Sequence, residues 1–352
     1  MTHEPRGTSV LHRIIREIQE GEVPRSRDLY CPFESAVHPE VDDIQARSVA
    51  WARGVGLCAG EAAERRLRGA RIGRLPARAY PHGDRAWVQL AADWTTLFCL
   101  LDDHIERLDG PAAVSACLTE LATLLRDGGD PGQDPMKRAC ADLHARIATM
   151  ATPTFRSRFD ERVRELFEAF SREAAVRRAG AIPTLDAYLP MREVTVGIHV
   201  ELVIGELACD AELGPTARRH PAVIALARMA SSIVGWANDV FTYEKEIGRG
   251  EGTNLVAVLA RAEDLSLRDA VARAIAGHDD EVRAFIALSR DLQSPGPAED
   301  EQLRRYTSML RCWVRGHLDW GRETGRYDPA HSLAGTPRRP AAGTPALESG
   351  VE

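Results

Sequence analysis

The chain has 352 residues, enough to bury a sizeable core in one domain, and it is 44% apolar and 28% charged, the balance of a soluble globular protein. A formal net charge of −7 argues against a nucleic-acid partner, which requires a basic face, whereas an anionic small molecule needs only local positive charge. Met1-Thr2-His3-Glu4-Pro5-Arg6 carries charges and no apolar run, and no stretch reaches the roughly 18 apolar residues of a membrane span, so membrane insertion is not expected and a cytoplasmic location is. The seven cysteines, at positions 31, 58, 99, 117, 140, 209 and 312, are scattered, odd in number and free of any C-x-x-C, which predicts reduced thiols.

Patterns rich in Ala, Leu, Arg and Glu, with no clear strand alternation and no internal repeat, predict an all-α chain in one domain. Residues 1–20 are expected to be a flexible N-terminus, residues 21–330 the folded domain, and residues 331–352, rich in Pro, Gly, Ala and Ser, a disordered tail. Gly and Pro clusters divide the domain at Pro76 to Asp84, Asp127 to Pro135, Thr152-Pro153, Ala181-Ile182-Pro183, Gly214-Pro215 and Ser294 to Ala298. Within the domain, the apolar stretch Leu97-Phe98-Cys99-Leu100-Leu101 runs into Asp102-Asp103-His104-Ile105-Glu106. Further on, Thr184 or Asp186 can cap the helix that carries Tyr188 and Arg192. Thr195, Val196 and Gly197 weaken the same helix, Gly alone by about 1 kcal/mol relative to Ala, and predict a break there. Ser266, with Asp269 three residues on, predicts another helix start.

Two acidic clusters carry the chemistry. Asn238, Thr242 and Glu246 recur every four residues, so on a helix of 3.6 residues per turn they form one oxygen-rich stripe. Asp102 and Glu106 likewise share a face, with Asp103 turned aside. D-D-x-x-E alone is common on solvated helices, but acids at the end of an apolar helix are costly unless a cation compensates them. Carboxylate, amide and hydroxyl oxygens, with no Cys or His at ligand spacing near the second cluster, favour Mg²⁺ or Mn²⁺ over Zn²⁺.

Together the two clusters resemble the aspartate-rich and Asn/Ser-Thr/Glu motifs of bacterial class I terpene synthases. Further landmarks follow in that family's order. Arg192, 46 residues before Asn238, resembles the diphosphate-sensing arginine, and Arg326-Tyr327 resembles the C-terminal Arg-Tyr pair. Lys245, Cys31-Pro32-Phe33, Trp51-Ala52-Arg53 and the segment from Trp313 to Tyr327 extend the likeness over residues 28 to 328. The resemblance implies a single-domain α-helical bundle around a central cavity. It implies a lyase that ionises an isoprenoid diphosphate, with farnesyl diphosphate favoured over the geranylgeranyl and geranyl homologues, and cyclises the resulting cation to a sesquiterpene hydrocarbon or alcohol. It further implies three Mg²⁺ ions, with Mn²⁺ as a substitute, held by Asp102, Asp103, Glu106, Asn238, Thr242 and Glu246. Asp103 is the alternative partner of Arg192 in a closed state. Diphosphate contacts fall to Arg192, Lys245, Arg326 and Tyr327. The break at Thr195, Val196 and Gly197 is expected to turn backbone carbonyls toward the cavity, and a homodimer is left open.

The helix period places Phe98 and Thr95 one and two turns behind Asp102, Val234 and Ser231 behind Asn238, and Trp313 with Gly316 on one face of the last helix. Phe98 and Trp313 are the expected cavity wall. A chain-elongating prenyl diphosphate synthase would need a second D-D-x-x-D, and a di-iron bundle would need E-x-x-H, which the chain lacks. A non-catalytic helical interaction protein is the remaining alternative.

Overall fold

The computed structural model describes residues 6–21, 28–292 and 297–327; the segment 331–352, expected to be disordered, lies outside them. Fifteen α-helices and no strand occur among the described residues. They are α1 (Arg6–Gln19), α2 (Val41–Val55), α3 (Gly60–Ala70), α4 (Arg74–Ala79) and α5 (Arg85–Ile105), then α6 (Pro111–Asp127), α7 (Pro135–Met150), α8 (Pro153–Arg178), α9 (Leu185–Thr195) and α10 (Ile198–Ala208). The last five are α11 (Pro215–Arg218), α12 (Pro221–Gly248), α13 (Leu255–Ala262), α14 (Leu267–Asp291) and α15 (Pro297–Glu323).

The starts follow local chemistry. Side chains of Asp84, Asp134, Thr152, Thr184, Asn254 and Ser266 accept from the otherwise orphaned first N–H groups of α5, α7, α8, α9, α13 and α14. Proline opens α6, α7, α8, α11 and α12, where its missing N–H costs nothing. One expectation is corrected. The break assigned to Pro76 to Asp84 begins only after Ala79, because Pro76 sits in the first turn of α4 and so tolerates helix. The segment 1–20, expected to be flexible, contains α1, whose Leu11 and Ile14 are buried against a cluster built from α12, α13 and α14; four-residue apolar spacing gives it a face to dock.

Helix α5 is buried on nearly every side from Val88 to Ile105, as befits a central element. It packs against α2, α4, α7 and α10, while α12 packs against α1, α9, α10, α13, α14 and α15. Between α5, α8, the α9–α10 pair, α12 and α15 the bundle leaves one deep cavity.

Close packing fixes this arrangement at Gly205 on α10. A Cβ there would lie 2.5 Å from Met309 Sδ and 2.5 Å from the Tyr80 ring. Met309 can swing away. Tyr80 cannot, because its hydroxyl donates to the Glu201 carbonyl at 2.6 Å and accepts from Trp313 Nε1 at 2.9 Å. In Gly205→Ala the gain of about 1 kcal/mol in helix propensity is outweighed by an overpacking cost of roughly 1–3 kcal/mol. Thermal denaturation should show a melting temperature lowered by a few degrees; an unchanged or raised value would mean that Tyr80 yields.

Candidate active site

Every candidate ligand, diphosphate-binding and wall residue from the sequence lines that one cavity: Phe98, Asp102 and Asp103 from α5, with Glu106 just past its end; Arg192, Thr195, Val196 and Gly197 from the α9–α10 junction; Asn238, Thr242, Lys245 and Glu246 from α12; and Trp313, Arg326 and Tyr327 from α15 and the turn after it. The helical periods of α5 and α12 account for this, since each presents its four-residue stripe to the gap between them.

At the rim, negative charge is concentrated and guanidinium groups share it. Arg177, near the end of α8, lies 3.3 Å from Glu106, 3.9 Å from Asp102 and 3.4 Å from Glu173. Arg326 lies 3.3 Å from Asp103 and 3.6 Å from Asp102. Burial, and then the charge of Asp102, pushes the Glu106 carboxyl up from its ordinary range, and burial with Glu246 does the same to Glu251. The rim thus holds more carboxylate than its cations neutralise, a charge imbalance that suits a divalent ion. No three His, Cys, Asp or Glu side chains among the described residues already converge on one point. Mg²⁺ does not require that, because it commonly takes one or two carboxylates and completes its shell with water and phosphate oxygens.

Across the gap, Thr242 donates to the Asn238 carbonyl at 3.0 Å, which leaves its lone pairs unused by that bond. Glu246 accepts from Asn254 at 2.9 Å, and the Asn238 amide donates to the Tyr327 hydroxyl at 2.8 Å. Asp103 and Arg192, expected to pair in a closed state, have other partners in this structure. Asp103 pairs with Arg326, while Arg192 is bound by Asp239 at 2.9 Å and donates to Asn238 Oδ1 at 2.8 Å. The reason is Asp239 itself. It is 1% exposed, and Tyr188 and the Leu255 N–H also donate to it, so its charge is held rigidly beside Arg192. Burial opposes the Arg192 charge, but Asp239 together with Tyr188, Glu173 and Glu246 outweighs it and raises the guanidinium pKa further.

Deeper in, the walls are aromatic. Phe98 stacks on Phe170 with ring centroids 5.7 Å apart, and Trp94, Trp313 and Trp320 complete the lining. The predicted break is present, with α9 ending at Thr195 and α10 starting at Ile198. Gly197 between them has φ +82°, and a Cβ on it would meet the Phe98 ring at 2.6 Å. The Thr195 hydroxyl has no hydrogen-bond partner among the described residues. Gly316 and Ser231 depart from their expected faces. Gly316 packs on the α4 backbone, where a Cβ would lie 2.9 Å from Arg78, so α15 turns Trp313, His317 and Trp320 to the cavity instead. Ser231 is buried and donates to the Glu193 carbonyl at 2.6 Å.

Sequence reasoning did not single out Arg177, Glu173, Glu251, Asp239, His317 or Glu201 as cavity groups, yet all line it. Glu201 had a readable signal, an acid inside the apolar run Ile198 to Gly205, the same anomaly that marked Asp102. Arg177 had none, because α8 is charged along most of its length.

The family described as "Terpene synthase family 2, C-terminal metal binding" matches residues 93–284, the span from α5 into α14. The chain is 32% identical, over 87% of its length and 95% of the relative's, to the (+)-T-muurolol synthase ((2E,6E)-farnesyl diphosphate cyclizing) of Roseiflexus castenholzii. It is 31% identical to the bonnadiene synthase of Allokutzneria albata, over 94% and 93% of the two lengths. In fold it is similar to germacradien-4-ol synthase from Streptomyces citricolor, with a TM-score of 0.75 over 86% of this chain and 100% of that one at 24% identity. No described helix is long and apolar enough to cross a membrane. With its matched metal-binding region folded around a cavity that joins acidic stripes, guanidinium groups and aromatic walls, the chain belongs to the terpene synthase family and is an all-α class I terpene cyclase, a divalent-metal-dependent lyase.

Proposed function

We propose that this cyclase takes farnesyl diphosphate and converts it to a sesquiterpene hydrocarbon or alcohol, with Asp102, Asp103, Glu106, Asn238, Thr242 and Glu246 as ligands of Mg²⁺. One observation carries the reading: oxygen ligands of α5 and α12 face each other at the mouth of a cavity whose depth is aromatic and apolar. The farnesyl chain length is supported by the relative from Roseiflexus castenholzii, whose name specifies that substrate. Seven free cysteines and the absence of an apolar spanning helix among the described residues support a cytoplasmic setting.

Divalent ions bound at this rim would supply Lewis-acid stabilisation of the departing diphosphate. The chain's own residues do the rest. Arg192, Lys245 and Arg326 present cationic donors to the same anion, and a guanidinium matches phosphate oxygens with two parallel hydrogen bonds. Tyr327 adds a hydroxyl beside Asn238, 2.8 Å away. Asp239 keeps Arg192 charged and aimed, which lowers the reorganisation needed when negative charge develops. Below them Phe98, Phe170, Trp94 and Trp313 exclude water from the cation and offer ring faces worth roughly 0.5–2 kcal/mol each to a nearby positive charge. The test is a product screen. Purified protein with Mg²⁺ and, separately, geranyl, farnesyl and geranylgeranyl diphosphate is analysed by gas chromatography, and cyclic C15 products from the farnesyl substrate alone are expected; products from a different homologue would reassign the chain length.

Asn238→Ala and Glu246→Ala should each lower turnover by at least about a hundredfold, since each removes a ligand that acts on the transition state. Circular dichroism should remain unchanged in both. Near-normal rates at saturating Mg²⁺ would rule out the ligand assignment.

Phe98→Leu should change the ratio of products severalfold, because the lost ring face is worth about 0.5–2 kcal/mol to whichever cation passes it. If Phe98 were plain core, the same change would cost about 1 kcal/mol of stability and leave the products alone. Product profiles and melting curves of the two proteins separate the outcomes.

A further inference from the structure

Glu201 is a carboxyl group without a cation. It lies on α10, is 4% exposed, and lines the cavity among aromatic and aliphatic side chains. No Arg, Lys or His pairs with it among the described residues, in contrast to the rim acids and to Glu206 on the same helix, which Arg158 and Arg218 hold. Its neighbours are two hydroxyls. Thr95 Oγ1 is 2.5 Å from Glu201 Oε1 and 2.7 Å from the Ala91 carbonyl; Tyr80 Oη is 3.3 Å from Oε2 and 2.6 Å from the Glu201 carbonyl.

A proton count over these contacts favours the protonated group. Each hydroxyl has one proton, and each has a backbone carbonyl within easy reach to receive it. Tyr80 also accepts from Trp313, so its proton is free to go only outward, and the backbone carbonyl is its shorter partner. An ionised carboxylate would be buried with no cation and with only these two hydroxyl protons, each shared with a backbone carbonyl, to hold it, which is a costly arrangement. A protonated Glu201 removes the conflict, because its own O–H donates to Thr95. Burial pushes this carboxyl up to about 8, with the hydrogen bonds of Thr95 and Tyr80 acting in the other direction. Thr95 is two turns, about 10 Å, down α5 from Asp102, so this acid sits away from the charged rim and toward the hydrocarbon.

We propose that Glu201 is a catalytic proton carrier, which protonates a carbon–carbon double bond of a neutral, partly cyclised hydrocarbon in the cavity and then takes a proton back from the final cation. The proposal rests on the cyclisation of farnesyl diphosphate argued above. Its steps balance without any further reagent. The first cation loses a proton to the released diphosphate and becomes neutral. The π electrons of one of its double bonds then take the Glu201 proton as the O–H bond breaks, leaving a cation beside a carboxylate in an apolar enclosure. After further ring closure a C–H bond next to the cation breaks, its electrons form the last double bond, and the proton returns to the carboxylate.

The test reads carbon-bound deuterium. The full chain is exchanged into D₂O and supplied with Mg²⁺ and less than one equivalent of farnesyl diphosphate, so that Glu201 delivers its solvent-derived deuteron before it takes up a substrate proton, and the products are examined by gas chromatography with mass spectrometry, label being counted per product molecule. The unaltered protein should give a main product carrying one deuterium. Glu201→Gln should give an unlabelled, less cyclised hydrocarbon, with label per molecule lowered by at least about tenfold. Glu201→Leu is made in parallel and should behave alike; it removes the buried polar group altogether, and circular dichroism establishes that each variant compared is folded. A hydrocarbon formed by the unaltered protein without deuterium, or a label that survives in either folded variant, overturns the role of Glu201 while leaving the cyclase reading intact. No hydrocarbon at all from farnesyl diphosphate overturns the substrate reading and this proposal together.

Discussion

Carboxylates at the mouth of an apolar cavity repel one another and are poorly hydrated, and the bundle is organised so that this repulsion is never relieved by dispersal into solvent. Asp102, Asp103 and Glu106 stand at the end of the buried helix α5, facing Glu246 and Asn238 on α12 and Glu251 on the loop behind it. Arg177 and Arg326 offset part of that charge from opposite sides. The remainder is an attraction for cations built into the fold. Because α5 and α12 each belong to several helix pairs, the spacing of the two acidic stripes is set by core packing and not by the acids.

Acids in this cavity fall into three kinds, and the partner of each decides what it can do. At the rim, Asp102, Asp103 and Glu106 have guanidinium neighbours and still face the gap as acceptors for positive charge. Asp239, one residue from Asn238, is committed to Arg192, Tyr188 and the start of α13, so it orients a cationic side chain and cannot itself move. Glu201, bonded only to hydroxyls, keeps its proton. The same side-chain chemistry thus serves as electrostatic trap, as anchor and as acid within one enclosure, through differences in desolvation and in the nearest charge.

Much of this was legible in the sequence. Four-residue spacing in Asn238, Thr242 and Glu246 is enough to put them on one face, and an apolar run ending in Asp102 is enough to make a cation plausible there. Thr184 and Ser266 announce helix starts, and Thr195-Val196-Gly197 announces a break, because those signals are local. What could not be read depends on contacts between distant helices. Arg177 reaches the rim only because the end of α8 comes beside α5, and Arg192 meets Asp239 because α9 lies on α12. Gly316 misled for the same reason: periodicity gives its angle on α15 but not which neighbour, α4 or the cavity, occupies that direction.

The contact between Gly197 and Phe98 joins two features that are separate in sequence. A backbone at φ +82° admits a side chain only at a cost of roughly 1–3 kcal/mol, and the ring of Phe98 fills the space that side chain would enter. Position 197 is therefore closed to variation for as long as position 98 carries a large ring, whereas position 98 can shrink first. Cavity shape in this chain can drift in one order and not the other: a smaller residue on α5 has to precede any residue with a Cβ at the helix junction. The helix break is thus a ratchet on the evolution of the pocket contour, and attempts to redesign the cavity face the same one-way sequence of steps.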